Sequence, residues 1–440
     1  MRDLIVVLIV FGSIPLIFIR PYIGILIWCW VAYMTPHKLG WGFASQMPLA
    51  QVIAIVTIAA IFFSAEKRKF PLSREVVVNI LFIMLMAFTT LWALEPEEAE
   101  LQLLKILKIQ ILIFMTLYLI NTEGRLNALV WAIALSIGFF GVKGGIFTIL
   151  GGGTSHVLGA EGSFTGDNNQ IGMALVMVLP LIRYLHLQAD KRWLKMGLLG
   201  AMILTAVAIL GTQSRGAFVA LTAVMFVLVL KSDRKMIFFL VALLIIPALL
   251  SIMPDQWWDR MGSISEYEED GSAMGRINAW GFAYNVALDR PFIGGGFECF
   301  KLQWFIMYAP NPTDVHDAHS IYFEVLGEHG FIGLLLFLLI GLLSLLKAQK
   351  IIKITKNIDE LGWANCMARM VQVSIVGFAV NGLFIGLAYF FFFYHLVTII
   401  VVLDVLVKRK LETLDLADGD NPVNDGASGR LIKTRMVAQS

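Results

Sequence analysis

The sequence predicts an all-α fold, a polytopic transmembrane helical bundle of about 12 to 13 spans, with one large exported loop that carries amphipathic helices. Three observations predict it. The 440 residues are 58% hydrophobic and 15% charged, whereas roughly a quarter of an ordinary soluble domain is charged, and the mean hydropathy is +0.78. Apolar stretches approaching the roughly 20 residues that span a bilayer recur from the N-terminus to residue 407. Lys and Arg gather in alternate loops, the pattern left by segments that resist translocation. Helices are expected because an open sheet leaves backbone groups unpaired in lipid.

In chain order the candidate spans are 4–19, 22–34, 49–64, 76–93, 106–120, 126–150, 171–186, 193–210, 215–230, 235–253, 331–347, 371–388 and 390–407. Arg20-Pro21 interrupts the first two, which read as a hairpin, two thin spans or one broken span. No small-residue cleavage site follows the apolar N-terminal segment, which is therefore expected to be retained. Lys67, Arg68, Lys69 and Arg74 mark the cytoplasmic side, and counting onward adds Lys191, Arg192, Lys231, Arg234, Lys235, Lys347, Lys350, Lys353 and Lys408 through Lys410. Segments 94–104, 151–170, 211–214 and 254–330 fall on the other side. In 254–330 acidic residues outnumber basic ones by about three to one, as export favours. The polar tail after Lys410 reads as a disordered cytoplasmic end. The chain thus divides into an N-terminal membrane region (1–120), central helices with their turns (121–253), an exported catalytic loop (254–330), C-terminal helices (331–407) and a tail (408–440).

Within the exported loop, 276-RINAWGFAYNVALD-289 places Ile277, Trp280, Ala283, Tyr284 and Ala287 on one helical face. Arg290-Pro291 ends that helix, 294-GGGF-297 turns the chain, and helical spacing resumes over 318–329 through Ile321, Val325 and Leu326 up to Gly330. Two amphipathic helices are thus expected to cap the outer face. The run 266-EYEED-270 reads as a solvated loop tip. Cys29, Cys299 and Cys366 lie too far apart in this topology for a disulfide. There is no phosphate-cradling motif and no metal-ligand spacing, so an ATP-driven pump is disfavoured and neither cofactor nor metal is expected. No internal repeat supports an inverted-repeat transporter.

Three polar groups fall where membrane meets exported loops. In 211-GTQSRGA-217, Ser214 precedes Arg215 at the start of a span, where helix N–H groups and dipole already attract anions; an interfacial anchor is the plainer reading. In 164-FTGDNNQIG-172, Asp167 or Asn168 is a candidate N-cap, with Asn168 and Asn169 as candidate ligands for the same anion. The loop itself supplies Arg276 and 316-HDAHSIYFEVLGEHG-330. His316, Asp317 and His319 lack a fourth ligand for zinc, whereas an imidazole with an unperturbed pKa of about 6.5 suits proton transfer. Lys143, in 141-GVKGGIF-147, reads either as a functional ionisable group or as a lysine snorkelling to the interface. Arginine forks suit pyrophosphate, and a nearby imidazole can deprotonate a sugar hydroxyl.

At these residues the chain resembles the O-antigen ligase and polymerase superfamily, in particular the exosortase-associated O-glycosylation ligases. The resemblance rests on GSFTGDNNQIG, TQSRGA, GRINAWGFAYNVALDRPFIGGGFECF and HDAHSIYFEVLGEHGFIGL in that order. It implies a bacterial inner-membrane enzyme with a periplasmic site, moving a glycan from undecaprenyl pyrophosphate to a hydroxyl of lipid A-core or protein, with inversion and without metal or nucleotide. Membrane lipid is then the surrounding partner, and no nucleic acid is expected. The family's H-[NS]-x-Y pattern falls on His319, Ser320 and Tyr322, which makes His319 the general base. Its two arginines fall on Arg215 and Arg276 as pyrophosphate ligands. Lys143, Asn168 and Asn169 are further donor-side candidates, and His316, Ser320, Tyr322 and Ser214 candidate acceptor or supporting groups. A polymerase extending a lipid-linked glycan is the alternative within this chemistry; a lipid-linked-glycan transporter is the alternative outside it.

Overall fold

The computed structural model describes residues 2–40, 42–66, 68–231 and 271–419. The expected span 235–253 and the run 266–270 lie outside the described residues. Among the described residues the regular elements are all helical. In order they are α1 (Arg2–Gly12), α2 (Ile14–Ile19), α3 (Tyr22–Met34), α4 (Leu49–Phe63), α5 (Arg74–Thr90), α6 (Pro96–Leu119), α7 (Glu123–Leu150) and α8 (Asn168–Gln188). There follow α9 (Arg192–Gly211), α10 (Arg215–Lys231), α11 (Gly271–Asp289), α12 (Leu302–Tyr308), α13 (Ile321–Thr355), α14 (Gly362–Asn381) and α15 (Phe391–Gly419). Among the described residues, seven helices are long and apolar enough to cross a membrane. The fold is an all-α polytopic bundle.

The N-terminal ambiguity resolves into two antiparallel passes. Asp3 lies against Gly40, at the end of the bundle where α3 finishes, while Tyr22 stacks under Arg125 at the other end. Between α1 and α2 the helix breaks at Ser13, whose hydroxyl donates to the Val10 carbonyl, with Pro15 in the first turn of α2. At the far end Arg125 forks onto Glu66 at 2.8 and 3.0 Å, Arg68 adds a third contact at 2.7 Å, and Arg409 reaches the Asn121 carbonyl. The basic loops therefore meet at one end, here the basic end, and the glycine-rich and acidic loops at the other, the loop end.

Several boundaries differ from the sequence expectation, each for a physical reason. The span expected at 106–120 begins at Pro96, because proline at the first position and Glu97 and Glu98 in the first turn suit a helix N-terminus. Hydropathy alone places that turn in a loop. The span expected at 371–388 runs instead from Gly362 to Asn381. Residues 382–390 are apolar yet form a buried connection whose Gly382 carbonyl accepts from the Ile321 amide at 2.8 Å. The tail does not begin at Lys410, since α15 continues to Gly419.

Helices α8 and α15 are central, each 78% buried over its apolar window. Helices α7 and α9 approach closely through Gly141 on Thr205, Gly145 on the Leu204 backbone and Gly211 on Thr148. Small residues at this spacing allow the contact, and it accounts for the glycines of 141-GVKGG-145. A buried polar chain ties α5, α13 and α15 at the basic end: Lys347 Nζ lies 2.6 Å from Glu75 and 3.9 Å from Asp404, and Asp404 accepts from Lys408 at 2.7 Å. Removing one partner strands the other charge. Glu75→Leu is expected to destabilise the bundle by about 3 to 5 kcal/mol, read as a lower unfolding midpoint in detergent, and Glu75→Leu with Lys347→Met to recover most of the loss.

Candidate active site

At the loop end the chain encloses a cavity of about 1150 Å³. Its walls come from the 35–48 connection, α4, α6, the 162–170 segment, Arg276 on α11, residues 298–301, residues 317–319, the start of α13 and the 384–391 connection. His319, Arg276 and Asn169 all line it.

Helix α11 is the platform that places His319. Asn278 is buried and makes three hydrogen bonds to the loop before His319: its amide donates to the carbonyls of Asn311 (2.8 Å) and Asp314 (2.7 Å), and its oxygen accepts from the Asn311 amide (2.7 Å). Trp280 donates its indole N–H to the Ala318 carbonyl at 2.8 Å while its ring stacks on Phe323 at 4.9 Å. Below, Phe282 stacks on Phe305 at 4.3 Å, fastening α12. The buried face of α11 thus runs through Asn278, Ala279, Phe282, Ala283, Val286 and Ala287. It is rotated from the expected one, for Ile277 and Tyr284 are exposed. Hydropathy undervalued Asn278, which is buried because all its polar atoms are paired. Nor does the second amphipathic segment cap the outside. It forms the first turns of α13, with Ile321 and Val325 through Gly330 buried, and bends into the span at Gly330, φ 66°.

Backbone strain concentrates here. Thr35, Gln213, Glu298 and His319 are the non-glycine residues with positive φ among those described, and Thr35, Glu298 and His319 line the cavity. Such conformations persist only where the surroundings enforce them, and they cluster at functional sites. His319, at φ 43°, is held between the Trp280 bond to Ala318 and the Ile321 bond to Gly382. Desolvation lowers the His319 pKa below its ordinary 6.5, the Arg276 charge lowers it further, and Asp317 opposes both. A neutral, proton-accepting imidazole results at neutral pH.

Arg215 does not line this cavity. It opens α10 in a tight corner beside the cavity wall, where Gly216 packs on Phe384, a lining residue; a Cβ at Gly216 would lie 2.8 Å from the Phe384 Cβ. Ser214 is buried in the same corner and accepts from the Ala217 amide at 3.3 Å. Asn168 braces it, donating to the Thr212 carbonyl at 2.9 Å, while Asp167 and Gln170 close a capping box on α8. Tyr322 turns away to donate to the Ala379 carbonyl, Ser320 is the buried N-cap residue of α13, and His316 pairs with Asp314 at 2.8 Å outside the cavity. Lys143 stands on the exposed face of α7 and does not line the cavity. Among the described residues no cluster of His, Cys, Asp or Glu is arranged to hold a metal.

Residues 200–338 match a family model described as O-antigen ligase. This match supports placing the chain in the O-antigen ligase superfamily. A second family model, described as a family of unknown function (DUF5935), matches residues 1–190. No curated protein matches the chain. The match supports a function of the O-antigen ligase and polymerase type in a multi-pass membrane protein, a family that implies lipid-linked glycan substrates. The O-antigen ligase segment contains Arg215, Arg276 and His319; the other segment contributes Lys105, Lys108 and Asn169 to the same cavity.

Sequence reasoning missed several cavity groups. Lys105 and Lys108 fall at the start of the expected span 106–120 and drew no reading of their own, yet both stand inside α6 on the cavity face. Glu324 and Glu328, one turn apart on α13, also line the cavity and anchor its floor. Glu324 accepts from the Ala388 amide at 2.9 Å; Glu328 accepts from the Tyr389 hydroxyl at 2.5 Å and the Glu298 amide at 3.1 Å. Their four-residue spacing was the available signal. Trp280→Phe keeps the ring stack but removes the hydrogen bond to Ala318. It is expected to lower stability by only about 1 kcal/mol while reducing glycan transfer, and equal transfer at equal protein would show that this bond does not position His319.

Proposed function

We propose that this O-antigen ligase superfamily member transfers a glycan from undecaprenyl pyrophosphate to an acceptor hydroxyl at the loop end, which faces the periplasm of a bacterial inner membrane. The observation that carries the reading is the meeting of His319 and Arg276 on one cavity, with the Arg215 corner packed behind its wall. His319 takes the proton from the acceptor hydroxyl. That oxygen attacks the anomeric carbon on the face opposite the carrier, and a new glycosidic bond forms as the carbon–oxygen bond to pyrophosphate breaks. Pyrophosphate departs with the bonding electrons, so configuration inverts. Arg276 stabilises the developing phosphate charge, so no general acid is required, and the Arg215 corner supports the wall behind it. Asn169 supports this donor group.

The acceptor is lipid A-core or a protein hydroxyl; a second lipid-linked glycan as acceptor would make the enzyme a polymerase. Offering each to the purified enzyme with one donor, and sizing the products, separates single transfer from extension.

His319→Ala is expected to reduce transfer by about 10² to 10⁴-fold with insertion and unfolding midpoint unchanged; undiminished transfer would remove His319 from catalysis. Arg276→Gln is expected to lower kcat/KM by about 10 to 100-fold, without affecting folding. The acid limb of the pH profile follows from the His319 environment. Activity falls only as pH drops through a value below 6.5, because the lowered pKa keeps the base neutral above it. Asp317→Asn removes a charge that raises that pKa, so the limb should move to still lower pH, as initial rates across pH would reveal.

A further inference from the structure

Two lysines stand on the cavity face of a membrane-spanning helix, and the catalytic reading uses neither. Lys105 and Lys108 are the tenth and thirteenth of the 24 residues of α6, about 14 and 18 Å from its first residue at a rise of 1.5 Å per residue. Both line the cavity and are exposed, and neither forms an ion pair with a described residue. The Lys105 ammonium lies 4.5 Å over the Phe164 ring, and the carboxylates that act on it, Glu298 and Glu324, belong to the cavity wall. Ionisable groups at this depth mark substrate paths more often than structure.

Apolar residues continue the same wall towards lipid. Helices α4 and α6 each pack on α3, and the cavity extends between them along Ile55 and Ile58 of α4 and Leu101, Leu104 and Ile111 of α6, all exposed. A pair of cations bordered by a greasy slot matches an amphiphile whose anionic head meets a long hydrocarbon chain. We propose that Lys105 and Lys108 seat the pyrophosphate of a polyprenyl pyrophosphate that reaches the cavity through the opening between α4 and α6, before it passes to Arg276. The assignment rests on the glycan-transfer reading only for the identity of the head group.

The test is binding of sugar-free undecaprenyl pyrophosphate to the full chain in phosphatidylcholine nanodiscs, with phosphatidylglycerol, inorganic pyrophosphate and undecaprenol as competitors. Lys105→Gln with Lys108→Gln should weaken binding at least tenfold, Lys105→Arg with Lys108→Arg should restore it, and Ile55→Glu with Ile111→Glu should weaken it as well. Unfolding midpoints verify that each variant is folded. Unchanged binding in the double Gln variant overturns the proposal. So does equal competition by phosphatidylglycerol, which would make this a general anionic-lipid site, or by inorganic pyrophosphate, which would make it a free-anion site. The binding assay needs no transfer: a His319→Ala protein that still transfers glycan overturns the catalytic reading and leaves the lysine result standing.

Discussion

Trp280 donates its indole N–H to the Ala318 carbonyl, and two residues back Asn278 grips the same loop by three hydrogen bonds. On the other side of His319, the Ile321 amide bonds to the Gly382 carbonyl between α14 and α15. These attachments hold His319 in a left-handed backbone conformation that a histidine adopts at a cost. Because α11 carries Arg276 as well as Asn278 and Trp280, one rigid helix sets the imidazole against the guanidinium that depresses its pKa. Placing reactive groups on a fixed element, with paired polar contacts behind them, is how a site keeps its geometry in the absence of ligand.

The cavity floor follows the same logic with carboxylates. Glu324 and Glu328 accept from the 388–389 connection, and Glu328 also from Glu298 in the loop after α11. Gly294 and Gly330, both with positive φ, let that loop and the bend of α13 lie backbone against backbone. Two separate connections thus converge on the first turns of α13. Lipid on one side and an aqueous compartment on the other leave buried polar groups few partners, so these connections satisfy one another.

The segment of O-antigen ligase type and the segment matched by a family of unknown function build the cavity jointly. The former supplies Arg276 and His319, and the latter supplies the α4 and α6 walls. On the proposed reading this division combines one chemistry with a separately built approach for a lipid substrate: reaction geometry needs rigid loops, whereas a long hydrocarbon chain needs only an apolar slot at membrane depth.

The sequence by itself determined that the chain is an all-α membrane bundle, which end carries the basic loops, and which motifs hold Arg215, Arg276 and His319. Hydropathy and charge bias act on each segment separately, so they are legible without contacts. Tertiary structure decided the rest. Asn278 lies on the buried face of α11 because its partners come from residues 311 and 314, which no periodicity reveals. Residues 382–390 are a connection despite their apolar character, because an Ile321 amide far away in the chain satisfies Gly382. The lysines of α6 became cavity groups only once α4, α6 and the 162–170 segment were brought together. Arg215, clear as a motif, was placed behind the wall by the packing of Gly216 on Phe384. Local pattern sets what each segment is, and long-range packing sets which polar groups share a space.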